Sequence, residues 1–484
     1  MNGLGWILII PALFALASLV MPRPRAVLWL AVIGSFISAA WMVVVGWEAF
    51  DHRVSTLRQQ IFLDALSAYH CLIVVGVFAL ASVYAFYYFT SSGNAHPFDR
   101  RTARRFGCLW FLFLDSMILT LAANNLGLMW VGMEATTITS ALLVCLDPDR
   151  PAVRAAWTYL MMCSVAIALA LLSVIIACAE ARIVTGTGQS VFLWTELCEL
   201  APKMHSAPAR LAFVFALVGF GTKAGLAPMH GWLPEAHGQA PTPVSAVLSG
   251  VLLNCALYCI SRFVSIVEPT SPGWANSVLV PFGLFSMAVA AAFIAHERDI
   301  KRLLAYHSVE HMGIITLGLG FAAPGAALFH TLNHSVCKML TFFCAGALVQ
   351  GFGTRDMGRM HRTLRFLPLA GGGFLAGVLA LIGAPPFSIF MSELWIAKAG
   401  ILNGHIPAVV VFISIAAVVF VCAFRHAIEM TWSRPDLPPP ADGTRGISAA
   451  LVLLPLALLL VIGVWMPEPL RHALQQAAAI IGEP

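Results

Sequence analysis

The chain has 484 residues, of which 60% belong to the apolar set AVILMFWYC and only 11% are charged; its mean hydropathy is +0.85, whereas a soluble domain carries roughly 25% charged residues. These values exclude a water-soluble enzyme and a disordered scaffold, and no basic run is long enough to track a nucleic-acid backbone. What remains is an all-α, polytopic membrane protein whose net charge of +5 has to be read by position.

A bilayer core of about 30 Å takes about 20 helical residues. On that ruler the chain gives about fourteen spans: 4–21, 26–47, 63–89, 106–123, 126–146, 155–178, 209–227, 241–267, 275–295, 303–321, 325–349, 367–399, 405–427 and 447–466. The first imitates a secretory signal, with Ala15-Leu16-Ala17 resembling a cleavage site, but its cations, Arg23 and Arg25, follow it. It is therefore read as a span. Residues 179–208 read as a polar loop too short for a domain, and 468–484 as a short amphipathic tail.

With the N-terminus outside, eighteen of the 28 cations fall on inside loops, among them Arg23, Arg25, Lys301, Arg434 and Arg445. Seven fall on outside loops, including Arg53 and Arg262. The positive-inside rule then places both termini on the periplasmic side of a bacterial cytoplasmic membrane. The 11 cysteines are scattered and lack the spacing of a zinc site, an iron–sulfur cluster or attached haem, so no cofactor is expected.

Two spans are interrupted. Span 7 runs into Gly225-Leu226-Ala227-Pro228, and span 12 contains Gly383-Ala384-Pro385-Pro386. In each, a glutamate, Glu235 or Glu393, follows seven residues after a proline. Broken helices five spans apart imply two inverted five-helix repeats, a transporter architecture. The expected division is 1–105 for spans 1–3, 106–267 for spans 4–8, 268–429 for spans 9–13, and 430–484 for span 14 and the tail.

A charge inside a span costs at least ~2.5 to 3.5 kcal/mol, so each one is a functional candidate. Glu134 lies in span 5 and Lys223 just before the break in span 7. At comparable depth the two could form a proton gate or a static bridge between helices. His330, His334 and Lys338 recur at i, i+4 and i+8 in span 11, a stripe about 12 Å long with the spacing of a proton relay. His330 and His334 have no third metal ligand nearby in sequence. His307, Glu310 and His311 form an i, i+3, i+4 face near the cytoplasmic end of span 10, either an access path or a polar packing cluster, and Glu235 and His237 after the first break read the same way. Asp64 and Asp115 sit closer to span ends, where snorkelling or packing explains them.

These residues resemble the antiporter-like membrane subunits of respiratory complex I and of Mrp-type cation antiporters. The similarity is carried by Gly219-Phe220-Gly221-Thr222-Lys223-Ala224-Gly225-Leu226-Ala227-Pro228-Met229-His230-Gly231-Trp232-Leu233-Pro234-Glu235-Ala236-His237, by Ala240-Pro241-Thr242-Pro243 and by Asp299-Ile300-Lys301-Arg302-Leu303-Leu304-Ala305-Tyr306. Asn124-Asn125-Leu126-Gly127, the run Trp130 to Thr137 and Ser308-Val309-Glu310-His311-Met312-Gly313 narrow it to the F subunit of hydrogenase-4 and formate hydrogenlyase-type complexes.

The resemblance implies a fourteen-helix core without its own cofactor or redox chemistry, and other membrane subunits and peripheral redox subunits as partners. It also implies a glutamate on span 5 facing a lysine on span 7, here Glu134 and Lys223, and a polar row through His330, His334 and Lys338 to Glu393. At the span 8 position where many relatives titrate, this chain has Asn254, which can hydrogen-bond water but not carry a proton. The function implied is proton translocation within a redox-driven complex. The alternatives are a cation/proton antiporter module, or a membrane subunit coupling a proton gradient to another process such as inorganic-carbon uptake. A sodium site would need several oxygen ligands at one depth, whereas this row is rich in Lys and His.

Overall fold

A computed structural model describes residues 3–91, 98–186, 191–432 and 447–482; Arg434 and Arg445 lie outside the described residues. In chain order the helices are α1 (Trp6–Val20), α2 (Pro24–Glu48), α3 (Ala65–Thr90), α4 (Arg100–Ala122), α5 (Leu126–Val144), α6 (Arg150–Thr185), α7 (Trp194–Leu200), α8 (Ser206–Ala224), α9 (Trp232–Gln239) and α10 (Thr242–Val247). They continue as α11 (Leu253–Val267), α12 (Trp274–Ile294), α13 (Ile300–Gly320), α14 (Pro324–Phe352), α15 (Thr363–Phe366), α16 (Pro368–Leu381), α17 (Ser388–Leu402), α18 (Ile406–Trp432), α19 (Ala449–Val464) and α20 (Glu468–Ile481). A short antiparallel hairpin, Val54–Thr56 with Ile61–Leu63, is the one sheet among the described residues.

By length and apolarity eleven helices can cross a bilayer, taking α8 with α9 and α10 with α11 as single spans. The count becomes twelve if α19 and α20, bent by 78°, are one span. The expected fourteen are not reached on these criteria. α13 carries Lys301, Arg302 and Glu310, and span 12 is divided into helices of 14 and 15 residues.

The helices start where short polar side chains can take the free amides of a first turn. Asp99 accepts from Thr102 N at 2.8 Å, Asp149 from Ala152 N at 2.7 Å, and Asn125 from Gly127 N at 2.8 Å. Polarity runs opposite to that of a soluble protein. Val165 and Leu402 are 66% and 73% exposed, while Lys223, Lys338, His311 and His334 are 0% exposed. Lipid can solvate the first set but not the second.

The polar loop expected at 179–208 is largely helical: α6 continues to Thr185, and α7 follows. Trp194 at the start of α7 is buried and donates from Nε1 to the Arg262 carbonyl at 3.0 Å. Arg262 itself is no loop cation. It lies within α11, 2% exposed, with its guanidinium forked onto Asp64 at 2.7 Å to each oxygen and onto Ser67 Oγ at 2.9 Å. The Trp194 ring lies 4.2 Å and the Tyr258 ring 4.8 Å from it. Asp64 also caps α3 through Ser67 N at 2.9 Å, so the pair ties adjoining ends of spans 3 and 8 together.

Candidate functional site

Both broken spans are built alike. At the first break Gly225 has φ +80°, and Leu226 N donates to Gly221 O at 2.9 Å. At the second Gly383 has φ +68°, and Ala384 N donates to Leu379 O at 3.0 Å. A glycine in the left-handed region and a proline three residues on stop the helix in each. The freed carbonyl of Thr222 is taken by Trp232 Nε1 at 2.8 Å. The glutamates that follow are not equivalent in space. Glu235 meets Arg302 at 2.7 Å, both side chains partly exposed. Glu393 folds back over Gly383, where an added Cβ would stand 2.3 Å from its Oε2.

Lys223, in the last turn of α8, donates to Thr137 Oγ1 at 2.9 Å and to Tyr159 OH at 2.5 Å, with its ammonium 4.6 Å from the Tyr159 ring. The tyrosine is stacked on Trp232 at 4.4 Å and bonded to Ser140 Oγ at 2.8 Å. Glu134, one turn before Thr137 on α5, accepts from Ser164 at 3.2 Å and leaves Oε2 unpartnered. No ion pair joins Glu134 to Lys223 among the described residues; the expected facing pair is linked through Thr137 and the wall of α6. Comparable depth along two helices does not fix the direction each side chain takes around its axis.

In the middle of the molecule span 8 widens into a π turn, Leu248–Leu252, a distortion that frees carbonyls and recurs at functional sites. The freed oxygens are used. His334 Nε2 meets Ser249 O at 3.1 Å, and Asn254 donates to Gly250 O at 2.9 Å and to Ser335 Oγ at 2.8 Å. Asn254 therefore links span 8 to the residue beside His334. Ser249 and Ser308 hydroxyls pair at 2.6 Å, bringing in α13.

The second half gathers the histidines. His311 Nδ1 lies 2.8 Å from His330 Nε2, His330 Nδ1 lies 2.9 Å from Ser392 Oγ, and the His334 ring centre is 5.1 Å from that of His311. Ser392 donates its hydroxyl hydrogen to Ile389 O at 2.8 Å, so it accepts from His330. That fixes Nδ1–H on His330, hence Nδ1–H on His311, and leaves the lone pair of His311 Nε2 free. His307 Nδ1 donates to Glu310 Oε2 at 2.9 Å, and its Nε2 has no partner among the described residues. Lys338 donates to Leu304 O at 2.6 Å.

His237 is also buried, with Nδ1 on Leu233 O at 2.9 Å and Nε2 unpartnered. Lys301, expected on an inside loop, is buried in the first turn of α13 and donates to Ala240 O.

Of the sequence-derived candidates, the structure brings together His307 with Glu310, and His311 with His330 and His334. Asn254 joins them through Ser335. Glu134 lies apart from Lys223, and Glu235 lies outside the row. Sequence reasoning missed Tyr159, Thr137, Ser249, Ser308, Ser335 and Ser392, whose signal was a polar hydroxyl within an apolar run. Several buried atoms of these groups have no partner among the described residues: Glu134 Oε2, Asn254 Oδ1, Asn333 Oδ1, His334 Nδ1, His311 Nε2 and His307 Nε2. Each such atom left dry costs ~1–3 kcal/mol, a cost that water relieves. A proton arriving at His311 Nε2 can release the Nδ1 proton to His330 across 2.8 Å without either ring moving.

The family profile described as NADH:quinone oxidoreductase/Mrp antiporter, TM, matches residues 123–420. The chain belongs to this family. The match includes both helix breaks and every residue of the row from Glu134 to Glu393. A hydrogenase-4 component F homolog from Methylacidiphilum infernorum is 38% identical over 63% of this chain and 65% of its own length. Hydrogenase-4 component B of Escherichia coli K12 is 29% identical over 71% of this chain and 51% of its own length. The chain thus spans about half to two thirds of these curated relatives. Among solved structures, the archaeal membrane-bound sulfane sulfur reductase matches with a TM-score of 0.85 at 22% identity, covering 99% of this chain and 97% of the other. The Mrp complex of Dietzia sp. DQ12-45-1b matches with a TM-score of 0.83 at 20% identity, covering 100% and 98%. At these identities the structures establish the shared antiporter-like fold.

Proposed function

We propose that the chain is the proton-translocating membrane subunit of a redox-driven complex of hydrogenase-4 or complex I type, with the electron chemistry carried by other subunits. The observation that carries this reading is the buried row itself: imidazoles oriented by hydrogen bonds, with an unpartnered ring nitrogen on His307, His311 and His334 among the described residues, flanked by two fully buried lysines, inside an apolar shell. Imidazoles linked by hydrogen bonds, each able to accept and donate, suit stepwise proton transfer. The names of the hydrogenase-4 relatives point the same way. The complex supplies further membrane subunits and peripheral redox subunits as partners. On redox turnover in liposomes, proton uptake is expected to be equal in sodium-free and sodium-containing buffer; uptake that requires sodium would favour a cation antiporter module and overturn the reading.

Residues 106–267 and 268–429 are the two inverted halves, an assignment supported by the matching glycine–proline breaks. Both termini face the periplasm of a bacterial cytoplasmic membrane. In support, residues 3–5 contact the hairpin strand Val54–Thr56, and α20 shares a cavity with Phe50, Asp64 and Trp194, so both ends of the described chain lie at one end of the bundle. A reporter fused after Pro484 is expected to be active only in the outer compartment. Activity in the cytoplasm would reverse the orientation.

A further inference from the structure

At span 8 the titratable row has a gap: Asn254 cannot carry a proton, and its amide is spent on Gly250 O and Ser335 Oγ. Another element supplies a group that can. His237, in the last turn of α9, is 0% exposed and its Nδ1 lies 2.9 Å from Leu233 O. A carbonyl only accepts, so Nδ1 carries a hydrogen, and Nε2, which has no partner among the described residues, is the atom that can gain or lose a proton. The ring lies 5.9 Å from that of Phe342, one turn beyond Lys338 on α14. It lies 6.3 Å from that of Trp232, which stacks on the tyrosine that holds Lys223. Lys301 and Lys338 are both close enough to His237 to act on it electrostatically. The two lysines also stand one turn apart along α13, since Lys301 is in its first turn and Lys338 donates to the carbonyl of Leu304, a rise of about 4.5 Å.

A cavity of about 240 Å³ leads to this point, with Tyr88, Asp147, Asp149, Gly238, Lys301 and Arg355 in its lining and room for several waters. Asp149 is exposed whereas Lys301 is 4% exposed, so the cavity runs from the end of the bundle to a buried ammonium. Tyr88 is at the end of α3 remote from Asp64, so this is the end opposite the termini, the cytoplasmic one in the proposed orientation. Arg355 is paired with Asp299 at 3.5 Å, which leaves the two aspartates and Lys301 as the other charged groups of the lining. We propose that protons enter the row from this cavity through Lys301 and His237 to Lys338, without passing span 8. The assignment rests on the proton reading of the row. In each step an N–H bond breaks on the donor and forms on the next nitrogen, with water spanning the gap. The Lys301 ammonium gives its proton to His237 Nε2, the imidazolium gives it to the neutral Lys338 amine, and Lys301 is reprotonated from the aqueous phase through the cavity. His237 Nδ1 keeps its hydrogen on Leu233 O throughout, so the ring stays anchored.

The test uses the intact complex in liposomes during redox turnover, at matched subunit content. His237→Ala and Lys301→Gln should each lower proton uptake by about 100-fold with assembly intact, whereas His296→Gln, which changes an exposed histidine before α13, should keep wild-type uptake. Added imidazole fits the space left in His237→Ala and takes up a proton near neutral pH, and it should raise uptake by that variant about tenfold. Pyrazole, of the same shape but a far weaker base, should not. A merely structural His237 would be rescued by both or by neither. Where a variant fails to assemble, hydroxyl-radical footprinting of the wild-type complex decides, because irradiation marks buried side chains that touch water and His237 should be oxidised. Wild-type uptake by either assembled variant, rescue indifferent to base strength, or an unmodified His237 would overturn the inlet while the proton reading stands. A wild-type complex that turns over and moves no protons would overturn the proton reading, and the inlet with it.

Discussion

Lys223→Met is expected to lower proton translocation by about 100-fold or more, the scale of losing a positioned proton-transfer group, while the chain still accumulates and assembles. Its ammonium is held by two hydroxyls, of Thr137 and Tyr159, and by no carboxylate within ion-pair reach among the described residues. Removing it strands no charge. Tyr159 keeps its bond to Ser140, and Thr137 can fall back on Met133 O. Methionine preserves most of the stem volume, so a large cavity is not created. Glu134→Gln should also cut transport with assembly intact, since Gln retains an acceptor for Ser164. The double variant should be no better than Lys223→Met alone. Were the two residues a structural bridge, each single change would instead lose assembly and the double would restore it. The measurements are membrane yield, the elution profile of the complex, and proton uptake.

Arg262→Met should have the opposite signature. Its guanidinium satisfies both oxygens of buried Asp64 and is enclosed by aromatic rings. Removing one member of a buried pair leaves an uncompensated charge, at a cost of ~3–5 kcal/mol. Folded chain recovered from membranes should fall severalfold. Adding Asp64→Asn to Arg262→Met should recover part of the yield, because asparagine still caps α3 and carries no charge. Wild-type yield and an unchanged thermal midpoint for Arg262→Met alone would show that the pair contributes nothing to the fold. Lys223 and Arg262 are thus both buried cations on neighbouring spans, separated by what holds them. One sits on polarisable hydroxyls that can exchange protons, the other on a carboxylate that locks it.

Much of this arrangement could be read in the sequence because a charge or a proline inside an apolar run has few explanations. The two breaks stood out through Gly225 with Pro228 and Gly383 with Pro386, and the structure gives both the same hydrogen-bond pattern. Glu134, Lys223, His330, His334, Lys338 and Glu393 stood out as ions in the wrong solvent. What the sequence did not carry was direction around the helix axis. Glu134 and Lys223 lie at similar depth yet do not touch, and Glu235 turns outward to Arg302 although its spacing from a proline matches that of Glu393.

Partnership across long separations was equally hidden. Arg262 was counted with the outer loops because nothing in a linear reading joins it to Asp64, 198 residues away. The span count fell short for a related reason. The polarity of α13 and the break between α16 and α17 are the features that make those segments fail a test of uninterrupted apolar length. The π turn at Leu248–Leu252 has no sequence mark beyond its effect, an Asn254 that reaches a carbonyl four residues back.

The most direct test of proton passage through this row is the pH change inside liposomes containing the intact complex, followed with an entrapped dye during redox turnover at matched subunit content. Wild-type complex should change the internal pH with each turnover. Complexes carrying Lys223→Met or Lys338→Met, assembled to the same extent, should give almost none. Wild-type proton uptake by both assembled variants would contradict translocation through the row.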